Sequence, residues 1–201
     1  MEDVEHLLVA QAGTEEGSRY VVMVGVRVDD LESITKVPAD AAAIDVLRDL
    51  ALEIQIVFSS KQKLNGFGPD WQYALLTGIA RQTFNPRRSR PEGYPLRVHL
   101  PYGLPVESDW LDPYLTGATY GLIRVRTEVV HHDDRLLWLA RFVAHTFHEA
   151  IEENVARSTA ARHRYDALAP LVAHIEDVGL NVSYSRGGTA FEALVKASLS
   201  S

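Results

Sequence analysis

A chain of 201 residues with 46% hydrophobic and 23% charged side chains can bury one ordinary core, which excludes wholesale disorder. Its 27 acids against 20 lysines and arginines leave a net charge of −7, which argues against broad attraction to DNA or to a membrane surface. The absence of cysteine removes disulfides, thiolate metal sites and cysteine nucleophiles together, and it fits a cytoplasmic location.

One domain over 1–201 is expected, with a possible subdivision near 85–94. Met1–Asp3 lacks a signal-peptide start. No apolar run approaches the ~20 residues of a membrane span. Arginine far outnumbers lysine, as in proteins from GC-rich bacterial genomes.

From the start, His6–Ala12 and Arg19–Asp29 flank the glycine-bearing stretch Gly13–Ser18 and read as a β-hairpin, although the first run also has helical spacing. Tyr20, Val22, Val24, Val26 and Val28 alternate onto one face of the second strand. Val21, Met23, Gly25 and Arg27 take the other. Pro38 opens a helix that the spacing carries to Phe58, with Ala43, Ile44, Leu47, Leu50, Ala51, Ile54, Val57 and Phe58 on its apolar side. Leu52 and Ile56 fall within its polar side and therefore point to a second layer or a partner subunit. Asp70 caps a helix over Trp71–Phe84, which Asn85-Pro86 stops.

Residues 85–117 read as irregular, apart from a strand at Leu96–Leu100. Arg87, Arg88 and Arg90 form the dense basic cluster of the chain and suit RNA or a phosphate ligand. Tyr102, Trp110 and Tyr114 stand among Glu107, Asp109 and Asp112, a composition that suits protein recognition. Ala118–Val130 returns to strand. There Arg124 and Arg126 alternate with Ile123, Val125 and Thr127, so one face is wet or paired with acids.

The longest helical pattern, Asp133–Arg157, is expected to organise the fold. Leu136, Leu139, Ala140, Val143, Phe147, Ala150 and Ile151 share one side at 100° per residue, and Arg141, His145, His148, Glu149 and Glu152 share the other. Asp166 then caps a helix over Ala167–Val178, which Gly179 ends. Leu180–Ser185 follows as a strand, and Thr189–Glu192 is a capping box for a terminal helix. The expected class is α+β: an antiparallel or mixed sheet of about five strands, with helices mainly on one face and a possible weak internal duplication.

His145, His148 and Glu152, spaced by three and four, are the inventory of a zinc site or of a facial iron triad, so a divalent metal is possible. The string lacks His-Glu-x-x-His, and no Gly-x-Ser-x-Gly, Walker or Rossmann pattern occurs anywhere. Trp138 and Phe142 flank the polar side as an interface would. The leading expectation is thus a non-enzymatic, self-associating interaction or assembly subunit, with a protein partner, no predicted cofactor, no membrane, and nucleic acid unlikely. The alternatives are a small metal-dependent enzyme on His145, His148 and Glu152, or RNA or phosphate binding through Arg87, Arg88 and Arg90.

Overall fold

The structure is a computed structural model. It describes residues 5–37, 50, 52–83, 94–104, 108–130, 135–152, 164, 166–179 and 182–185. Strands β1 (Glu5–Ala12) and β2 (Tyr20–Val28) form the expected hairpin, and β3 (Glu53–Ser60) continues it as an antiparallel meander. Strand β4 (Tyr94–Pro101) lies parallel to β1, and β5 (Ile123–Val130) lies parallel to β4. On the far side, β6 (Val172–Asp177) pairs parallel with β3, and β7 (Val182–Ser185) pairs antiparallel with β6. The order is β5-β4-β1-β2-β3-β6-β7, a mixed sheet of seven strands.

The α+β class with a mixed sheet is as expected, but the helices occupy both faces. Helix α1 (Leu31–Thr35) starts at Asp30, whose carboxylate accepts from the N–H groups of Glu32 and Ser33. Helix α2 (Lys61–Leu64) follows β3 directly, and α3 (Trp71–Thr83) is the expected second helix. Helix α4 (Ser108–Ala118) lies between β4 and β5, and α5 (Trp138–Ile151) is the core of the organising pattern.

Helix α5 packs over β1 and β2. There Leu139, Val143 and Phe147 meet Leu8, Val24, Val26 and Ile56, all within 2% exposure. Each such side chain contributes roughly 1.5–3 kcal/mol by leaving water. The opposite sheet face packs on α3 and α4, where Leu75, Leu76, Ile79, Leu111 and Leu115 meet Leu7, Met23, Val57 and Val98. Gly25 allows that approach: a Cβ there would sit 2.6 Å from Ile79 Cγ2. A sheet covered on both faces needs near-continuous apolar strands, which explains the uniform burial of β2.

Five expectations are corrected here. The helix drawn to Phe58 is strand β3 over its last turns: Ile54, Ile56 and Phe58 alternate onto the α5 side, while Gln55, Val57 and Ser59 take the other. Leu52 and Ile56 are consequently core residues, 8% and 0% exposed, and offer no surface to a partner. Residues 38–49 and 51 lie outside the described set. The irregular stretch around Pro113 is helix α4, since burial of Leu111 and Leu115, one turn apart, outweighs the hydrogen bond that proline cannot donate. The helix expected over Ala167–Val178 is helical only as far as Leu171 and then becomes strand β6, because Val172 and Ile175 pair with β3 and enter the α5-side core. The two strand-then-helix stretches are not duplicates either: β2 lies inside the antiparallel meander and β5 at the parallel edge.

Candidate functional site

Parallel pairing of β1, β4 and β5 assembles a polar group on the α5 side of the sheet, beyond the area that the helix covers. His6 pairs with Arg97, Leu8 with His99, Arg97 with Arg126, and His99 with Glu128. Paired residues of a ladder project to the same face, so His6, Arg97, His99, Arg126 and Glu128 share one surface. Arg124 lies two residues before Arg126 and joins them. Arg124, Arg126 and Glu128 are exposed, Arg97 and His6 are half-buried, and His99 is 3% exposed.

The two histidine rings stack, with centroids 5.3 Å apart and planes 28° apart. His6 Nδ1 lies 3.0 Å from His99 Nε2, and His99 Nδ1 lies 3.5 Å from Glu128 Oε2. The other oxygen of Glu128 meets Arg97 Nε at 3.2 Å. A carboxylate beside His99 Nδ1 favours the proton on that nitrogen, leaving Nε2 to accept from His6 Nδ1–H. His6 Nε2 is then the lone-pair nitrogen, and it bonds to no described residue. Burial, and next the Arg97 guanidinium, hold His6 below its ordinary value of 6.5, against the upward pull of Glu128 and Asp30. His6 is therefore a neutral base at pH 7.

Neither histidine was singled out from the sequence. They stand 93 residues apart, and only the β1–β4 register joins them. The one local signal was the arginine alternation of β5. Its wet face is confirmed, with Arg124 and Arg126 exposed and Val125 buried.

On the opposite sheet face, Arg27 bridges Glu5 at 3.3 Å and Glu53 at 3.0 Å. Glu5 is 4% exposed, and burial pushes its carboxyl up to about 7 against the pull of Arg27, with Asp29 and Glu53 adding to the rise. Arg27 is already balanced by the more exposed Glu53, so the buried acid is the one that takes a proton.

The residues expected to hold a metal do not converge. His145 is exposed, His148 is 8% exposed, and the carboxylate of Glu152 is committed elsewhere. Its Oε1 accepts from the backbone N–H groups of Arg19 at 2.6 Å and Tyr20 at 2.9 Å, and its Oε2 pairs with Arg19 Nε at 3.1 Å. Burial works upward on that carboxyl, but these donors hold it below its ordinary range. His148 Nε2 lies 3.6 Å from Glu152 Oε1 as a buried atom without a hydrogen bond. A cation here would have to displace the bonds that close the β1–β2 turn.

Trp138 and Phe142 stack on each other at 5.3 Å and pack, half-buried, against the α5-side core. Trp110 and Tyr114 are exposed on α4, and Tyr102 is exposed on the turn after β4. Tyr114 also meets Tyr73 edge to face at 5.6 Å. Arg87, Arg88 and Arg90 lie outside the described residues.

No protein-family model matches the chain, and no curated protein is similar to it in sequence. Among the solved structures similar in fold are two ribonuclease structures. One is from the PCNA:RNase HII complex of Archaeoglobus fulgidus: TM-score 0.54 and 14% identity, covering 82% of this chain and 88% of that one. The other is the ribonuclease H2 of Pyrococcus horikoshii OT3: TM-score 0.49 and 11% identity, covering 78% and 77%. The first shows that this chain shares the fold of that structure.

This likeness contradicts the expectation of a non-enzymatic assembly subunit, because the protein it points to, ribonuclease HII, is an enzyme. It also contradicts the expectation that nucleic acid is an unlikely partner, since ribonuclease HII is by name an enzyme of RNA. The self-association argument fails as well, because Leu52 and Ile56 are in the core. The fold brings a divalent metal into consideration. Among the described residues, however, no group of three or more His, Asp or Glu is placed to hold one. In the His6–His99–Glu128 chain both nitrogens of His99 already face partners, so the donors run in series and do not converge on a point. The described residues do not fit a divalent ion.

Proposed function

We propose that this chain is a nucleic-acid-acting enzyme of ribonuclease H-like fold that holds a phosphodiester backbone against the open face of β4 and β5. The observation that carries this reading is Arg97 placed directly across the ladder from Arg126, on one face with Arg124. Like charges opposite each other destabilise a sheet. Glu128 compensates Arg97 and is shared with His99, while Arg126 makes no ion pair with a described residue. A polyanion laid along the face relieves that repulsion.

The spacing is supportive. Arg124 and Arg126 stand about 6.6 Å apart along the strand, and one nucleic-acid strand carries a charge for roughly each 3.4 Å of helix axis. The net charge of −7 confines attraction to this face, which orients the ligand. The ribonuclease H-like fold supports nucleic acid over other polyanions. Among the described residues no helix is long and apolar enough to cross a membrane, and a cytoplasmic location belongs to the same proposal.

Fluorescence anisotropy of a labelled RNA oligonucleotide, across a salt series, tests this. The double variant Arg124→Glu/Arg126→Glu is expected to bind about tenfold or more weakly, with its salt slope reduced by about one to two. Arg126→Lys should retain most of the affinity. Arg81→Glu, an exposed reversal on α3, serves as the control for net charge. Equal losses in the control and the double variant would reject the arginine face.

A further inference from the structure

We infer that His6 is the reacting base of a metal-independent RNA cleavage, held in position by His99 and Glu128 at the edge of the arginine face. This rests on the reading above for its substrate class. It differs in its chemistry from what the fold alone brings to mind, because the described donors form a proton relay and not a cation site.

The geometry has the parts that a base needs. Glu128 orients His99, His99 accepts from His6 Nδ1–H, and the rings stack so that His6 has a defined plane. That leaves Nε2 of His6 as the acceptor. Arg97 is its ladder partner and Arg126 is next across the sheet, so two arginines of the same face neighbour His6 and can meet the negative charge that a phosphate gains there.

The step balances without a metal or a redox partner. The 2′-hydroxyl of a ribose attacks its own 3′-phosphate, and its proton passes to His6 Nε2. The 2′-O–P bond forms as the P–O5′ bond breaks. The departing 5′-oxygen takes a proton from water, and the resulting hydroxide takes the proton from the His6 imidazolium. The products are a 2′,3′-cyclic phosphate end and a 5′-hydroxyl end. DNA, which lacks the 2′-hydroxyl, is bound but not cut.

The charged and titratable groups facing His6 are His99 and Arg97 from β4, Glu128 from β5 and Asp30 from the cap of α1. The base must be neutral, so cleavage rises with pH to a plateau and is half-maximal below 6.5. Glu128 is a positioning residue whose charge raises the proton affinity of His6. Glu128→Gln should therefore move the acid limb to still lower pH, which a purely structural role would not do. His99→Gln, which keeps an acceptor for His6, should retain more rate than His99→Ala.

The experiment incubates the purified full chain with an RNA oligonucleotide and its DNA counterpart in EDTA, reading product ends by mass spectrometry and binding by anisotropy. Cyclic-phosphate ends, intact DNA, no loss of rate in EDTA, and a drop of about a hundredfold or more in His6→Ala with unchanged binding are expected. Cleavage abolished by EDTA, 5′-phosphate ends, or a His6→Ala rate equal to the parent would overturn the inference. The first two readouts use the unaltered chain and do not depend on how the variant folds. RNA that is bound through the arginine face but never cut would overturn this step and leave the binding proposal standing. His6-dependent cleavage, with binding indifferent to Arg124 and Arg126, would do the reverse.

Discussion

Glu152, at the end of α5, accepts from the backbone N–H groups of both Arg19 and Tyr20, 133 and 132 residues earlier in the chain. One carboxylate thus ties the helix to the start of β2 and closes the β1–β2 turn. Glu152→Ala leaves two donors without their acceptor, a loss of about 1–3 kcal/mol. Chemical denaturation should read that loss. The carboxyl is held below its ordinary value, so its contribution is present above about 4.5, the unfolded value, and disappears as pH falls through the folded one. The variant and the parent should therefore converge in stability at low pH. A gap that stays constant down to acid pH would argue against the clamp.

Gly13 stands beside the same clamp with φ of +83°. A Cβ there would lie 2.2 Å from Tyr20 O and 2.6 Å from the His148 ring. Gly13→Ala combines left-handed strain with a backbone clash and should cost more than the ~1 kcal/mol of the αL penalty alone. Thermal melts are expected to place it several degrees below the parent, while Gly17→Ala, with an open site at similar φ, loses less.

Glu5 gives the opposite pH dependence. Its carboxyl is raised from 4.5 to about 7, so the folded chain binds that proton more tightly than the unfolded chain. Stability from this residue is therefore full below 4.5 and is lost as pH rises through about 7. Glu5→Gln should remove this slope and be the more stable form at pH 8, with Arg27 still held by Glu53 at 3.0 Å. A melting series across pH 4 to 8 in which parent and variant run parallel would refute the assignment.

Ile56 distinguishes a core role from an interface role. Its side chain, on β3, is fully buried in the α5-side core, so Ile56→Ala should cost about 2–5 kcal/mol. Light scattering should show the same mass for variant and parent. A change of mass with little change in stability would restore the surface reading.

Several elements were legible in the residue pattern because their determinants are local. The hairpin shows as alternation about Gly13–Ser18, α3 as an apolar period, and α5 as the longest amphipathic run. Strand β3 departs from the residue pattern because Ile54, Val57 and Phe58 satisfy a helical stripe as well as a strand. The alternation of Gln55, Val57 and Ser59 against Ile54, Ile56 and Phe58 becomes decisive only when β2 and β6 supply partners on both sides. Helix α4 departs from the pattern for a similar reason: Pro113 argues locally against a helix, while the pocket for Leu111 and Leu115 belongs to distant elements.

The histidines show the same division. Phasing of α5 placed His145, His148 and Glu152 on one side, yet packing buries His148 against the Gly13 turn, leaves His145 outside and occupies Glu152 with backbone. Periodicity determined the hairpin, the α5 core stripe and the wet arginine face of β5, since each depends on neighbours within a few residues. The tertiary structure alone decided that His6 meets His99, and that Arg97 opposes Arg126. Parallel register is a property of strands joined by long crossovers, and no local spacing encodes it.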